Sequence, residues 1–141
     1  MKPELPLLVA LLLPLTPAAA IAGPVQAVIE NVPDDTGTIR VAICHEDEFL
    51  KPSCAFHGEI RSTSPRVTVS FPDIPEGTYA VQAFQDRNAN AKLDRSFIGI
   101  PKEPIGFSRN PTVRFGPPSF EECAVHLTAA GGTIGVTLIT R

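Results

Sequence analysis

Six stretches of alternating β-branched and polar residues, none longer than eight, leave this chain little to fold into but sheet. They are Val25 to Val32, Thr38 to Cys44, Arg66 to Phe71, Thr78 to Phe84, Cys123 to Thr128 and Thr133 to Ile139. Successive side chains of a strand point to opposite faces, so Arg66-Val67-Thr68-Val69-Ser70-Phe71 puts Val67, Val69 and Phe71 on one side and polar residues on the other. Glu59 to Ser62 adds a weaker seventh candidate. Turn chemistry separates the strands at Pro33-Asp34-Asp35-Thr36-Gly37, Pro72-Asp73-Ile74-Pro75-Glu76-Gly77 and Ala130-Gly131-Gly132. No segment sustains a helical period. The pattern predicts an all-β domain, an antiparallel β-sandwich of about seven strands with one long ordered loop.

Ahead of the first strand, Lys2 precedes an apolar run from Leu5 to Leu15 broken only by Pro6 and Pro14, and Ala20-Ile21-Ala22 follows. A charged start, a short apolar middle and small residues at the cleavage positions read as a secretory signal over residues 1–22. A membrane span needs about 20 continuous apolar residues, so no transmembrane segment is expected in the mature chain, residues 23–141. The expected location is periplasmic or secreted. A net charge of −3, with acids and bases scattered, provides no basic stripe for nucleic acid. In an oxidising compartment three cysteines allow one internal bridge, and Cys44 with Cys54 is the expected pair. Closing so short a loop stabilises by about 2–3 kcal/mol in the chain-entropy model. Cys123, beside Ala124, Val125 and Leu127, reads as a small buried hydrophobe or as a reactive thiol, and a Cys123–His126 nucleophile is weak because residues i and i+3 of a strand point to opposite faces.

Gln85 to Glu122 has almost no strand pattern, and a stretch of that length inside a small domain is where function is to be sought. It opens with Asp86-Arg87-Asn88-Ala89-Asn90-Ala91-Lys92-Leu93-Asp94. Oxygen side chains at relative positions 1, 3, 5 and 9, with the Lys92 carbonyl at 7, follow the spacing by which a loop wraps calcium. Position 6, usually Gly, is Ala91, and position 12, usually a bidentate acid, is Phe97. Glu103 is the nearest downstream acid that could complete the shell. The same residues can instead cap their own turns by bonding nearby backbone N–H groups, with no metal. Both readings stand on the sequence.

Tyr79-Ala80-Val81, the Asp-x-Asn-x-Asn-x-Lys-Leu-Asp run at 86–94, Gly99-Ile100-Pro101-Lys102-Glu103, Gly106-Phe107-Ser108 and Phe115-Gly116-Pro117-Pro118-Ser119-Phe120-Glu121 together resemble the bacterial exported family catalogued as domain of unknown function 2141. The family usually has Gly at the position of Ala91 and often His at that of Gln85. The hairpin Phe71 to Val81 also resembles the turn-and-strand signature of transthyretin-like and carboxypeptidase-regulatory-like sandwiches. The resemblance implies an exported β-sandwich and carries over no catalytic residues.

Within the long loop, Phe97, Phe107, Phe115 and Phe120 are expected to pack as a satellite core under a flap stiffened by proline. The alternative is a groove in which Glu103, Ser108, Arg109 and Arg114 hold an anionic or sugar ligand. Signs of catalysis are few. His45, His57 and His126 are isolated, and no nucleophile elbow, zinc-protease motif or glycine-rich phosphate loop occurs. A zinc site from Cys44, His45 and His57 would lose its thiolate to the expected disulfide. The sequence thus points to a non-enzymatic exported module, with calcium as a candidate cofactor and a small molecule, glycan or envelope protein as partner. The competing reading is a small glycan-directed hydrolase or lyase using Asp86, Asp94 and Glu103.

Overall fold

The computed structural model describes residues 2–4, 6, 9–16 and 21–140, and Leu5, Leu7, Leu8 and Ala20 of the expected export signal lie outside it. Eight strands and one helical turn follow in order: β1 (Ala22–Glu30), β2 (Thr38–Cys44), β3 (Phe56–Arg61), β4 (Arg66–Pro75), β5 (Gly77–Asp86), β6 (Ile105–Phe107), α1 (Phe120–Cys123), β7 (Ala124–Leu127) and β8 (Gly132–Thr137). They form two sheets. One has the order β4-β1-β8 and the other β3-β2-β5-β6, with β7 also paired to β5. β6 and β7 lie end to end on one edge of β5, opposite Gln82–Phe84 and Gly77–Ala80 respectively. Among the described residues no helix is long and apolar enough to cross a membrane.

Alternation builds the core. Val25, Ala27 and Ile29 of β1, Ile39, Val41 and Ile43 of β2, and Val67, Val69 and Phe71 of β4 are buried between the sheets, with Tyr79, Val81 and Ala83 of β5 and Ile134 and Val136 of β8. The Tyr79 hydroxyl donates to the Pro75 carbonyl at 2.7 Å, pinning the turn between β4 and β5. At one edge the sheets are joined directly, where Ile105 and Ile139 exchange both backbone hydrogen bonds at 3.0 and 2.7 Å.

Three features differ from the sequence reading. β4 runs on through Pro72 to Pro75, so the expected turn shrinks to its last residues. β4 is an edge strand, where a missing N–H is tolerated. β8 pairs with β1 in parallel, from Val25 opposite Gly132 to Glu30 opposite Thr137. The chain leaves β7 in one sheet, turns at once and enters the other beside β1 in the same direction. That crossing brings backbones into contact: a Cβ on Gly131, which has φ +75°, would lie 1.8 Å from the Pro24 carbonyl oxygen. Only glycine fits there. Finally, the end of the expected loop, Phe120–Glu122, together with Cys123, expected to begin the next strand, forms a turn of helix, and the strand starts at Ala124. Ser119 and Glu122 form a capping box at its N-terminus.

Cys44 and Cys54 are bonded, with Cα atoms 5.0 Å apart. The loop they close carries Phe49, whose ring meets those of Phe107 and Phe120 edge-on at 6.0 and 5.9 Å. Reducing this bond is expected to lower the free energy of unfolding by about 2–3 kcal/mol, measured by chemical denaturation with and without reductant.

Candidate functional site

β5 ends on Asp86, fully buried on the outer side of the five-stranded sheet, and the chain then enters the long connection to β6. Asp86 Oδ1 accepts the Asn90 N–H at 3.2 Å, and Oδ2 accepts the Ala91 N–H and Arg40 Nε, both at 2.9 Å. Arg40 reaches across from β2 and also pairs with Glu59 of β3 at 2.9 Å. Asn88 and Asn90 each bond the N–H two residues on, at 3.3 Å to Asn90 and 3.0 Å to Lys92. Their amide groups donate to the two carboxylate oxygens of Asp94, at 2.6 and 2.9 Å. Ala89 and Ala91 take φ +55° and +63°. For a residue with a Cβ that conformation costs about 1–2 kcal/mol, which the bonds to Asp86, Asn88 and Asn90 offset.

Glu103 closes the loop. Buried behind it, its carboxylate accepts the Arg87 N–H at 2.9 Å on one oxygen and the Asp94 N–H at 3.1 Å on the other. One side chain therefore clasps both ends of the turn. The expected ligand set is brought together in part. Asp86, Asn88, Asn90, Asp94 and Glu103 are joined by hydrogen bonds about one turn, which also includes Lys92, whose carbonyl is the expected ligand. Their oxygens are bonded to amides and to Arg40, and among the described residues no three His, Cys, Asp or Glu side chains are gathered so as to hold a metal ion.

Gln85, the residue before Asp86, faces the other way and is fully buried. Its amide donates to the Thr36 carbonyl at 2.8 Å and to Asp34 Oδ1 at 2.9 Å, and Arg87 pairs with Asp34 Oδ2 at 2.8 Å. These bonds tie the β1–β2 turn to the root of the long loop. The Thr36 backbone N–H and then the Gln85 amide hold the Asp34 carboxyl below its usual range. The Glu48 carboxyl is lowered similarly, first by the His45 N–H and then by the Ala55 N–H, across the disulfide loop.

The four-Phe satellite core is corrected. Phe107 is buried and Phe120 partly so, but Phe97 and Phe115 stand wholly in solvent at 102% and 99% exposure. The cluster on the outer face of the sheet is instead built from Ala80, Ile105, Phe107 and Cys123, with Phe49, Phe84, Leu93, Val113 and Phe120 packed against it. Ring type alone does not say which phenylalanine reaches the sheet. Phe49 and Phe84 arrive on the disulfide loop and on β5, whereas Phe97 and Phe115 lie at loop apices.

The proposed groove set is dispersed. Ser108 is buried, its hydroxyl donating to the Cys123 carbonyl and accepting the Val81 N–H at 2.9 Å. Arg109, exposed, donates to the Glu121 carbonyl at 3.1 Å. Arg114 lines a depression of about 440 Å³ shared with Phe115, Pro117 and Glu122. A larger one of about 780 Å³, not singled out by any motif, is bordered by His45, Glu46, Asp47, Thr78 and Phe120. The His45 ring packs 4.9 Å from that of Tyr79. His126 is exposed, whereas Cys123 is buried, so the two do not form a pair. Burial, and then the Glu122 carboxylate, push the Cys123 thiol up to about 11, which suits a packed sulfur rather than a nucleophile.

Glu103→Ala would strand two loop N–H groups and is expected to cost about 2–4 kcal/mol, read from denaturant midpoints. The lowered carboxyls set an acid limb. Their contribution to stability is present above the ordinary values of 3.8 for Asp34 and 4.5 for Glu48, and is lost as pH falls through the lower folded-state values. Denaturation measured from pH 6 downward should therefore show stability declining below about pH 4.5, and declining less in Asp34→Asn/Glu48→Gln.

A family model described as an uncharacterized protein conserved in bacteria (DUF2141) matches residues 27–134. No curated protein and no solved structure matches the chain.

Proposed function

The chain belongs to the DUF2141 family of uncharacterised bacterial proteins, and we propose that it is an exported, non-enzymatic accessory module of the cell envelope, binding a partner through the apices of its long loop. The observation that carries this reading is the contrast inside the loop. Asp86, Asn88, Asn90, Asp94 and Glu103 are spent on fixing the loop's own turn, while Phe97, Ile98 and Phe115 are left in solvent at 102%, 66% and 99% exposure. Large apolar side chains held outward on an ordered scaffold mark a contact surface. Export is supported by the charged, leucine-rich and small-residue stretches ahead of β1, and by a disulfide of the kind that persists outside a reducing compartment.

The acids that a hydrolase would use are poorly placed for that work. Asp86 and Glu103 are buried and bonded to backbone N–H groups, and Asp86 also faces Arg40. A general acid or a nucleophile needs access to a sugar oxygen or carbon. The same commitments weigh against a calcium cage, because the ion would have to displace Arg40 from Asp86. Calcium is therefore dispensable in this reading, and chelation should move the thermal midpoint by less than about 2 °C, since a site without appreciable affinity adds little by linkage.

The test is fractionation of cells expressing the protein. Wild type is expected to stay with envelope fragments, and Phe97→Ser/Phe115→Ser to be released into the soluble fraction with an unchanged melting curve. Equal retention of both proteins, or release of both, would refute the reading.

A further inference from the structure

The hairpin at the loop's far end is ordered by backbone bonds and tipped with exposed apolar side chains. Arg95 bridges to Pro101, Ser96 N–H donates to the Ile100 carbonyl at 2.8 Å, and Gly99 N–H donates to the Ser96 carbonyl at 2.9 Å. Phe97 and Ile98 are thereby the two central residues of a tight turn, with Gly99 at φ +86° letting the chain return. Lys102 N–H to the Asp94 carbonyl at 2.8 Å anchors the hairpin's base to the clasped turn described above. The arrangement is ordered, yet its apex is apolar and meets nothing. Phe97 and Ile98 are exposed as given above, and Ile100 is 44% exposed.

Charge supplies the identity of the partner. Arg95 lies in the hairpin's first arm, Lys102 at its base and Lys92 in the clasped turn just before it, all three exposed, on a chain whose net charge is −3. Asp94 is the single acid in this segment, and both its oxygens accept from Asn88 and Asn90. Arg95 donates from Nη1 to the Gly99 carbonyl at 3.2 Å, which keeps its charge beside the apex. A bulky aromatic and a β-branched side chain at the tip, with three cations along the hairpin and the turn that carries it, complement an anionic bilayer: acyl chains for the apex, phosphates for the cations. We propose that this hairpin inserts Phe97 and Ile98 into the headgroup boundary of an anionic lipid surface, with Lys92, Arg95 and Lys102 on the phosphates. This deepens the accessory-module reading and rests on it for the role of the loop apices.

The experiment is flotation of the protein purified from cells that express it, its N-terminus read by mass spectrometry, with two kinds of vesicle: phosphatidylcholine alone, and phosphatidylcholine with phosphatidylglycerol. Wild type is expected to float with the anionic vesicles and not with the neutral ones, and flotation should weaken as salt is raised. Phe97→Ser/Ile98→Ser should lower partitioning by about tenfold or more, and Lys92→Gln/Lys102→Gln by several-fold. Both variants should keep the wild-type melting curve, since these side chains are solvent-exposed. Equal flotation of wild type and the apolar double variant overturns the inference, as does indifference to vesicle charge. Loss of envelope retention in the double variant without any flotation of wild type would overturn the lipid assignment and leave the accessory reading, its partner then being a protein or glycan. A concentration-dependent dimer abolished by the same variant, without flotation, would also overturn it in favour of a second copy of the chain.

Discussion

Two buried carboxylates fix the turn by which the chain leaves the central strand β5. Asp86 ends the central strand β5 with its oxygens turned onto the Asn90 and Ala91 N–H groups and onto Arg40, and Glu103 takes the N–H groups of Arg87 and Asp94 from behind. A buried carboxylate is costly unless its lone pairs are filled, and a long loop is costly in conformational entropy unless its amides find acceptors. Here each requirement answers the other. Acid side chains from the two ends of the segment fold the chain between them, so the loop leaves the sheet in a fixed direction.

From that fixed turn the rest of the site follows. The β5–β6 connection returns to lay Ile105 and Phe107 on the outer face of the five-stranded sheet, where the disulfide loop contributes Phe49 and α1 contributes Phe120 and Cys123. The sheet thus has apolar material on both faces, the main core within and a smaller one outside. The hairpin beyond Asp94 has no such cover. Its apolar side chains are displayed by a rigid base instead of being lost in a mobile loop, which reduces the entropy that ordering would otherwise cost on contact with a surface.

How much of this was legible in the sequence can be argued residue by residue. Val67, Val69 and Phe71 announced their strand because a period of two is a local signal, and the Cys44–Cys54 bond followed from count and spacing. The oxygen pattern at 86–94 located the turn and its participants. Its bonding was not legible, because Arg40 lies 46 residues from Asp86 and nothing near Asp86 names it. Gln85 and Asp86 read as loop for the same reason: they are polar, and their burial depends on Asp34, Thr36 and Arg40, supplied by the β1–β2 region. The parallel seating of β8 depends on how closely Gly131 and Pro24 approach, a tertiary fact that periodicity does not carry. α1, by contrast, has a local sign in Ser119 and Glu122, the capping box at its N-terminus, which the strand reading does not take up. Phe97 and Phe49 are alike in sequence, and only the topology separates an exposed ring from a packed one.

The central claim is that the loop after β5 is folded around Asp86 and Glu103, and amide hydrogen exchange followed by NMR tests it most directly. The account predicts slow exchange at Arg87, Ala91 and Asp94, approaching that of the neighbouring β5 amides, while the amide of exposed Ile98 exchanges freely. Exchange at all of these positions as fast as in an unfolded chain, with β5 still protected, would contradict it.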